Sequence, residues 1–315
     1  MATTFTNNPS YAGEAAAGYI SAALLSANTI ENGGITVKPN VKFKQVIRRL
    51  STTDLIADGS CDFAATDTVT TDEKILQPEE FQVNLNLCKT DFRDDWDAIS
   101  MGYSAFDNLP PTFQEFLIAE IIAKIAEKNE SNIWMGATAT AGEFDGLVAL
   151  ATADATVVDV TGVSTGAGGV TAANVVAELG KVTDAMPASL YGKPDVRLYV
   201  AQNVYKAYVR ALGGFGADGL GANGYEGRGN NQSINGLMFD GVQIFLAQGL
   251  DPNYMYLAET SNIFFGTGLL SDHNEVKVLD MSDLDGSQNV RFVMRFTAAV
   301  QHGFGSDIVL YTPQA

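Results

Sequence analysis

Few residues in this chain are of a type and spacing that could do chemistry. Gly214-Phe-Gly216-Ala-Asp-Gly219 spells G-x-G-x-x-G. A dinucleotide site needs that pattern between a strand and a helix, so that the pyrophosphate meets the helix N-terminus. Here it follows a helical pattern and runs into more glycine, nine in residues 213–236, which reads as a surface loop. Asp283-Leu-Asp285-Gly286 has the start of a calcium loop but lacks the later ligands and the closing Glu, so it reads as a turn. The acidic pairs Asp72/Glu73, Glu79/Glu80 and Asp94/Asp95 are adjacent in sequence, whereas a glycosidase needs two carboxylates facing each other across a pocket. They read as solvated faces.

Composition narrows the field further. Two histidines, His273 and His302, leave almost no material for a His-based triad or a His-rich metal site. Two cysteines, Cys61 and Cys88, are too few for a disulfide framework or a Cys-rich zinc site and read as reduced thiols. Thirty-seven acidic against nineteen basic residues give a net charge of −18, which argues against gripping nucleic-acid phosphates over a broad surface. The most apolar stretch, 116–126, is broken by Glu120 and Lys124 and is too short to span a bilayer. A hydrophobic fraction of 46% nonetheless supplies a substantial core. No catalytic, cofactor-binding or metal-ligating residues emerge, so the sequence implies a protein that is not an enzyme.

The elements suggest a different kind of work. Residues 11–27 read as a weak, Ala-rich helix after a small, polar lead-in. Residues 35–50 carry Lys38, Lys42, Lys44, Arg48 and Arg49. Sign then reverses, with twelve Asp or Glu in 51–100, among them Asp54, Asp58, Asp62 and Asp67. Alternation returns at Phe81, Val83, Leu85 and Leu87, so the segment reads as two strands joined by a long acidic tip. A long arm without its own core loses ordering entropy for little burial, unless it lies on another subunit. The basic leg and its acidic surroundings make these nine charged residues the candidate inter-subunit contacts. The plain alternative is a solvated hairpin whose charges keep it soluble.

After Pro110-Pro111, Thr112-Phe-Gln-Glu115 fits a capping box, and the spacing predicts a rod helix over 112–134. Further helices are expected at about 171–185 and 202–212. Strands are expected at 196–200, 242–247, 254–258, 275–280, 289–296 and 307–311. Trp96 and Trp134 read as packing anchors. Helices and strands in mixed order favour an α+β class.

The run Leu87-Cys88-Lys89-Thr-Asp-Phe92-Arg-Asp-Asp-Trp96, then Asn108-Leu-Pro-Pro-Thr-Phe113, Ile133-Trp134-Met-Gly136 and Phe144-Asp-Gly146, resembles the major capsid proteins of tailed double-stranded-DNA bacteriophages. It is most similar to those of crAss-like and other Bacteroidetes phages. Thr171-Ala-Ala-Asn174, Met186-Pro187, Tyr205-Lys-Ala-Tyr208 and Asn262-Ile-Phe-Phe-Gly266 agree in order. The resemblance covers most of residues 35–311, and the order of the motifs carries it more than any one of them.

The resemblance implies the Hong Kong-type phage capsid fold. Residues 1–34 would be the N-terminal arm and 35–92 the extended loop that overlaps a neighbour. Residues 93–170 and 261–315 would form the peripheral domain with its spine helix, and 171–260 the apical domain. It implies a shell protein that assembles into hexamers and pentamers around packaged double-stranded DNA, without sequence-specific binding. Its partners would be its own copies, a portal, and scaffold or decoration proteins. It would have no cofactor and no membrane, and would reside in the virion after assembly in the host cytoplasm. An encapsulin-like shell protein of the same fold is the alternative. Some members of the fold join subunits by a Lys–Asn bond. Lys74 lies in the right loop, but no Asn or Glu partner matches it, so that chemistry is not carried over. Met1 begins at the arm, so a separate scaffold, or none, is expected.

Overall fold

A computed structural model describes residues 28–52, 56, 58, 61, 69–88, 111–212, 237–268, 277–282 and 286–314. The expected helix at 11–27, the glycine-rich loop, Trp96, His273 and the Asp283–Asp285 turn lie outside the described residues. So do the side chains of residues 111–122.

One sheet is organised around a single long strand, β12 (Asn289–His302). Its sequence alternates, and the even positions Val290, Phe292, Met294 and Phe296 are buried. On one edge it pairs antiparallel with β4 (Glu79–Cys88), from Asn289↔Cys88 to Ala298↔Glu79. Along the other edge lie, end to end, β11 (Lys277–Asp280) and β10 (Ile263–Thr267), and β1 (Thr36–Lys38) adds in parallel to β10.

The second sheet has six strands, in the order β5 (Val158–Ser164), β13 (Ile308–Gln314), β9 (Met255–Glu259), β6 (Val196–Val200), β8 (Val242–Leu246) and β7 (Met238–Phe239). Strands β5 and β13, grouped on sequence with the peripheral part, are thus built into the same sheet as strands of 171–260. Two amphipathic helices carry apolar stripes into the shared core: α3 (Val175–Asp184) through Val175, Leu179 and Val182, and α4 (Gln202–Leu212) through Val204, Ala207 and Tyr208. The stretch 136–170, whose sequence shows only Gly/Ala/Thr-rich chain with short apolar pieces, also contains α2 (Leu147–Ala153) and β5. Helix α2 is only seven residues, about two turns, too short for its period to stand out, and the alternation of β5 breaks at Gly162 after Val158 and Val160.

The rod helix α1 runs Pro111–Met135, within a residue of the expectation. Its 25 residues span about 37 Å. Its last turns enter the core. Trp134 is fully buried, 5.0 Å from the Tyr199 ring and 5.7 Å from that of Tyr256, which makes it the expected packing anchor.

The same end of α1 holds the chain where it enters the described structure. A single helical turn, Asn28–Glu31, sits against it. The Glu130 carboxylate accepts bonds from the Thr29 amide (3.0 Å) and hydroxyl, and the Trp134 indole donates to the Thr29 hydroxyl at 2.8 Å. Burial raises the Glu130 pKa, and these bonds counter that rise. A Cβ at Gly34 would lie 2.8 Å from the Phe245 ring, so the chain passes here only with no side chain. Residues 28–34, placed in the N-terminal arm on sequence, are therefore wedged into the body. No helix among the described residues is long and apolar enough to cross a membrane.

Thr29→Val keeps the shape and the amide bond to Glu130 but removes the hydroxyl donor to Glu130 and the acceptor for Trp134. It should cost about 1–3 kcal/mol in a urea titration, because it strands buried polar atoms rather than emptying space.

Candidate assembly surface

The basic leg does not run unbroken from 35 to 50. Pro39 has no amide to donate and Asn40 takes a left-handed φ of 64°, so the strand stops at Lys38 and resumes as β2 (Gln45–Ser51). Its partner is β3 (Thr70–Leu76), antiparallel from Gln45↔Leu76 to Ser51↔Thr70. The run Phe81–Leu87, expected on sequence to be the returning leg, belongs instead to β4 in the β12 sheet. Its apolar positions are used there: the Phe81 ring lies 5.5 Å from Phe296 and 5.9 Å from Phe144. The hairpin is therefore shorter than expected, β2–β3 with the connection 52–69.

Its two faces differ. On the inner face Leu76 is fully buried and packs over Gly266, where a Cβ would come within 2.8 Å of it. Val41, Ala299, Ile47 and Phe264 complete this small cluster. Gln301 donates to the Ile75 carbonyl at 3.0 Å, and the Arg49 guanidinium stacks 5.2 Å from the Phe304 ring. On the outer face Val46, Leu50 and Ile75 are exposed by 43%, 62% and 50%, and Phe43, just before the strand, by 72%. Val46 and Ile75 sit directly across from each other, as do Arg48 and Glu73. A two-stranded ribbon with a bare apolar face is marginal by itself in water.

The candidate charged residues have mixed fates. Arg48 meets Glu73 at 3.4 Å and Arg49 meets Asp72 at 3.5 Å, both within the hairpin. Lys38 lies 4.9 Å over the Phe264 ring of its own body, and Lys44 lies 5.4 Å over Phe43. Lys42 and Asp58 are exposed. Asp54, Asp62 and Asp67 lie outside the described residues. The structure thus pairs Arg48 and Arg49 within the hairpin, with the Arg48 side chain still 78% exposed.

Sequence reasoning missed the apolar outer face and the root of the hairpin. The face was signalled by Val46 and Leu50 flanking Arg48 at period two. The root was not signalled, because its residues are far apart in the chain. There Lys74 Nζ lies 2.7 Å and His302 Nε2 3.0 Å from the same oxygen, Asp154 Oδ2. The other Asp154 oxygen accepts from the Thr156 amide and hydroxyl at 3.0 and 2.7 Å. Burial by itself would raise the Asp154 pKa, but these bonds hold it far below the usual carboxylate range. His302 is 1% exposed, and burial lowers its pKa. Among the described residues no group of His, Cys, Asp or Glu is arranged to hold a metal ion.

Two sheets, a rod helix and a hairpin leaving the body make this an α+β chain with the Hong Kong-type phage capsid fold. Solved structures agree along nearly the whole chain. The capsid of a native GTA particle matches with a TM-score of 0.58 at 15% identity, covering 92% of this chain and 97% of that one. The satellite phage P4 procapsid matches with a TM-score of 0.57 at 9% identity, covering 95% and 99%. A virus-like particle from Pyrococcus furiosus matches with a TM-score of 0.53 at 10% identity, covering 94% and 98%. No protein-family profile and no curated protein sequence matches.

A double-mutant cycle of Arg48→Ala and Glu73→Ala should give a coupling below about 1 kcal/mol in thermal melts, since both side chains are more than half exposed. A larger value would restore charge as the main feature of this face.

Proposed function

We propose that the chain is a structural capsid protein whose copies close into an icosahedral shell. The observation that carries this reading is the outer face of the β2–β3 hairpin. It exposes Phe43, Val46, Leu50 and Ile75, while the opposite face is seated on the body. A second copy is the fitting cover. The ion pair Arg48–Glu73 cancels charge on that face, so a neighbour with net charge −18 meets little repulsion there. Repeated around a closed symmetry, many such modest contacts add up to a stable shell.

In this reading the hairpin is the working part of the extended loop assigned to 35–92, and the N-terminal arm is the segment assigned to 1–34, whose residues 28–34 lie against the body. The apical part is the six-stranded sheet with α3 and α4, which takes in β5 and β13 besides residues 171–260. The β12 sheet with α1 is the peripheral part. Subunits form hexamers and pentamers that enclose double-stranded DNA, and an acidic protein suits a container that must not adhere to its contents. A portal, scaffold or decoration proteins are the expected partners, and the virion the expected location. The proposed lineage among Bacteroidetes phages rests on motif order alone. The likeness to a virus-like particle supports a second reading, an encapsulin-like compartment built on the same fold. Packaged DNA in purified particles decides for the phage head, and protein cargo for the compartment.

Leu50→Asp combined with Ile75→Asp should leave the circular dichroism spectrum unchanged and abolish particles in negative-stain electron microscopy. Wild-type-like shells from this variant would remove the hairpin face from the assembly contact.

A further inference from the structure

The root of the hairpin joins three segments distant in the chain: β3 through Lys74, the link between α2 and β5 through Asp154, and the end of β12 through His302. Asp154 is ionised, so it can only accept, and the shared bond requires His302 to carry its proton on Nε2. Its other ring nitrogen, Nδ1, is buried and has no hydrogen-bond partner. With no acceptor for a second proton, the imidazole is held neutral, its Nδ1 lone pair buried.

We propose that Lys74, Asp154 and His302 form a latch that fixes the hairpin against the body, and that acid releases it by placing a second proton on His302. The charged groups around the ring set the sign. Asp154 alone favours the imidazolium. Lys74 from β3 and Arg49 from β2 oppose it, and β10, which pairs with His302 through Ile263, brings no titratable side chain. A proton on Nδ1 would have no acceptor and would place a further cation beside Lys74, while Arg49 is itself paired with Asp72 of β3. Opening the root wets the ring and lets it take the proton. Because closing lowers the His302 pKa below its ordinary 6.5, the latch is fully effective above about pH 6.5 and weakens as pH falls below it. Asp154 stays ionised throughout that window. The inference rests on the hairpin being the assembly arm only for its consequence, namely that acid changes how the arm is presented. The latch itself is a property of the single subunit.

The test is amide hydrogen exchange of the full-length, unassembled subunit from pH 7.5 to 5, corrected for intrinsic exchange rates. Protection of β2 and β3 amides should fall by up to about tenfold per pH unit below 6.5, while β6 and β9 stay protected. His302→Gln keeps a donor toward Asp154 but cannot titrate, so it should hold the hairpin closed and flatten the pH profile. Asp154→Asn should loosen the hairpin at every pH. A wild-type profile flat in pH, or a His302→Gln profile as steep as the wild type, would overturn the latch. If His302→Gln does not fold, the nitrogen resonances of wild-type His302 decide, with His273→Asn assigning the only other histidine. A neutral Nε2–H ring at pH 7 that takes up its proton as the hairpin loosens supports the latch, and an imidazolium at pH 7 overturns it. Particle yield measured separately at each pH tests the assembly reading. A hairpin that loosens in acid while shells still form alike leaves the latch standing and removes the arm's role in assembly.

Discussion

The structure depends on β12 having partners on both edges at once. Where Ala298 pairs with Thr267 on one side, it pairs with Glu79 on the other, and Phe292 lies likewise between Val278 and Leu85. A central strand must satisfy its amides and carbonyls on both sides, because an unpaired buried backbone group costs as much as a lost hydrogen bond. This requirement takes β4 away from the hairpin and assigns it to the sheet. It also sets where the hairpin is rooted, since β3 and β4 are separated only by Gln77 and Pro78. Leu76 then drops onto the bare backbone at Gly266, and the two strands of the arm extend from that point.

Charge serves the arm internally. Arg48 and Arg49 face Glu73 and Asp72 across the ladder, in register and of opposite sign, which is how cross-strand pairs stabilise a ribbon. What the ribbon leaves uncovered is apolar. An exposed ion pair contributes little, whereas burying an exposed Leu or Ile side chain contributes on the order of 1.5–3 kcal/mol. The contact proposed with a second copy is therefore better served by Leu50 and Ile75 than by the basic residues that stand out in the sequence.

Elements with a long period are legible in the amino-acid sequence by itself. The rod helix, α3, α4 and the alternating part of β12 all announce themselves through apolar spacing, and Trp134 is identifiable as an anchor. Pairing is not legible. Phe81, Val83, Leu85 and Leu87 point to the right strand but the wrong partner, because alternation fixes which face is buried and says nothing about which edge is taken. The root is invisible for a similar reason: Lys74, Asp154 and His302 are ordinary residues until folding brings them to one oxygen. Helix α2, about two turns long, sits below the length at which its period can be read, and Gly162 interrupts the alternation of β5.

The connectivity of the six-stranded sheet bears on how such a subunit is made. Strand β13 lies inside that sheet, between β5 in parallel and β9 in antiparallel register. During synthesis β5 leaves the ribosome early and waits for its partner in the sheet until residues 308–314 emerge. Pairing over so long a stretch of chain is slow and must close a large loop first. Until then the nascent polypeptide carries an unfinished half, exposing the side chains that Tyr311 and its neighbours will cover.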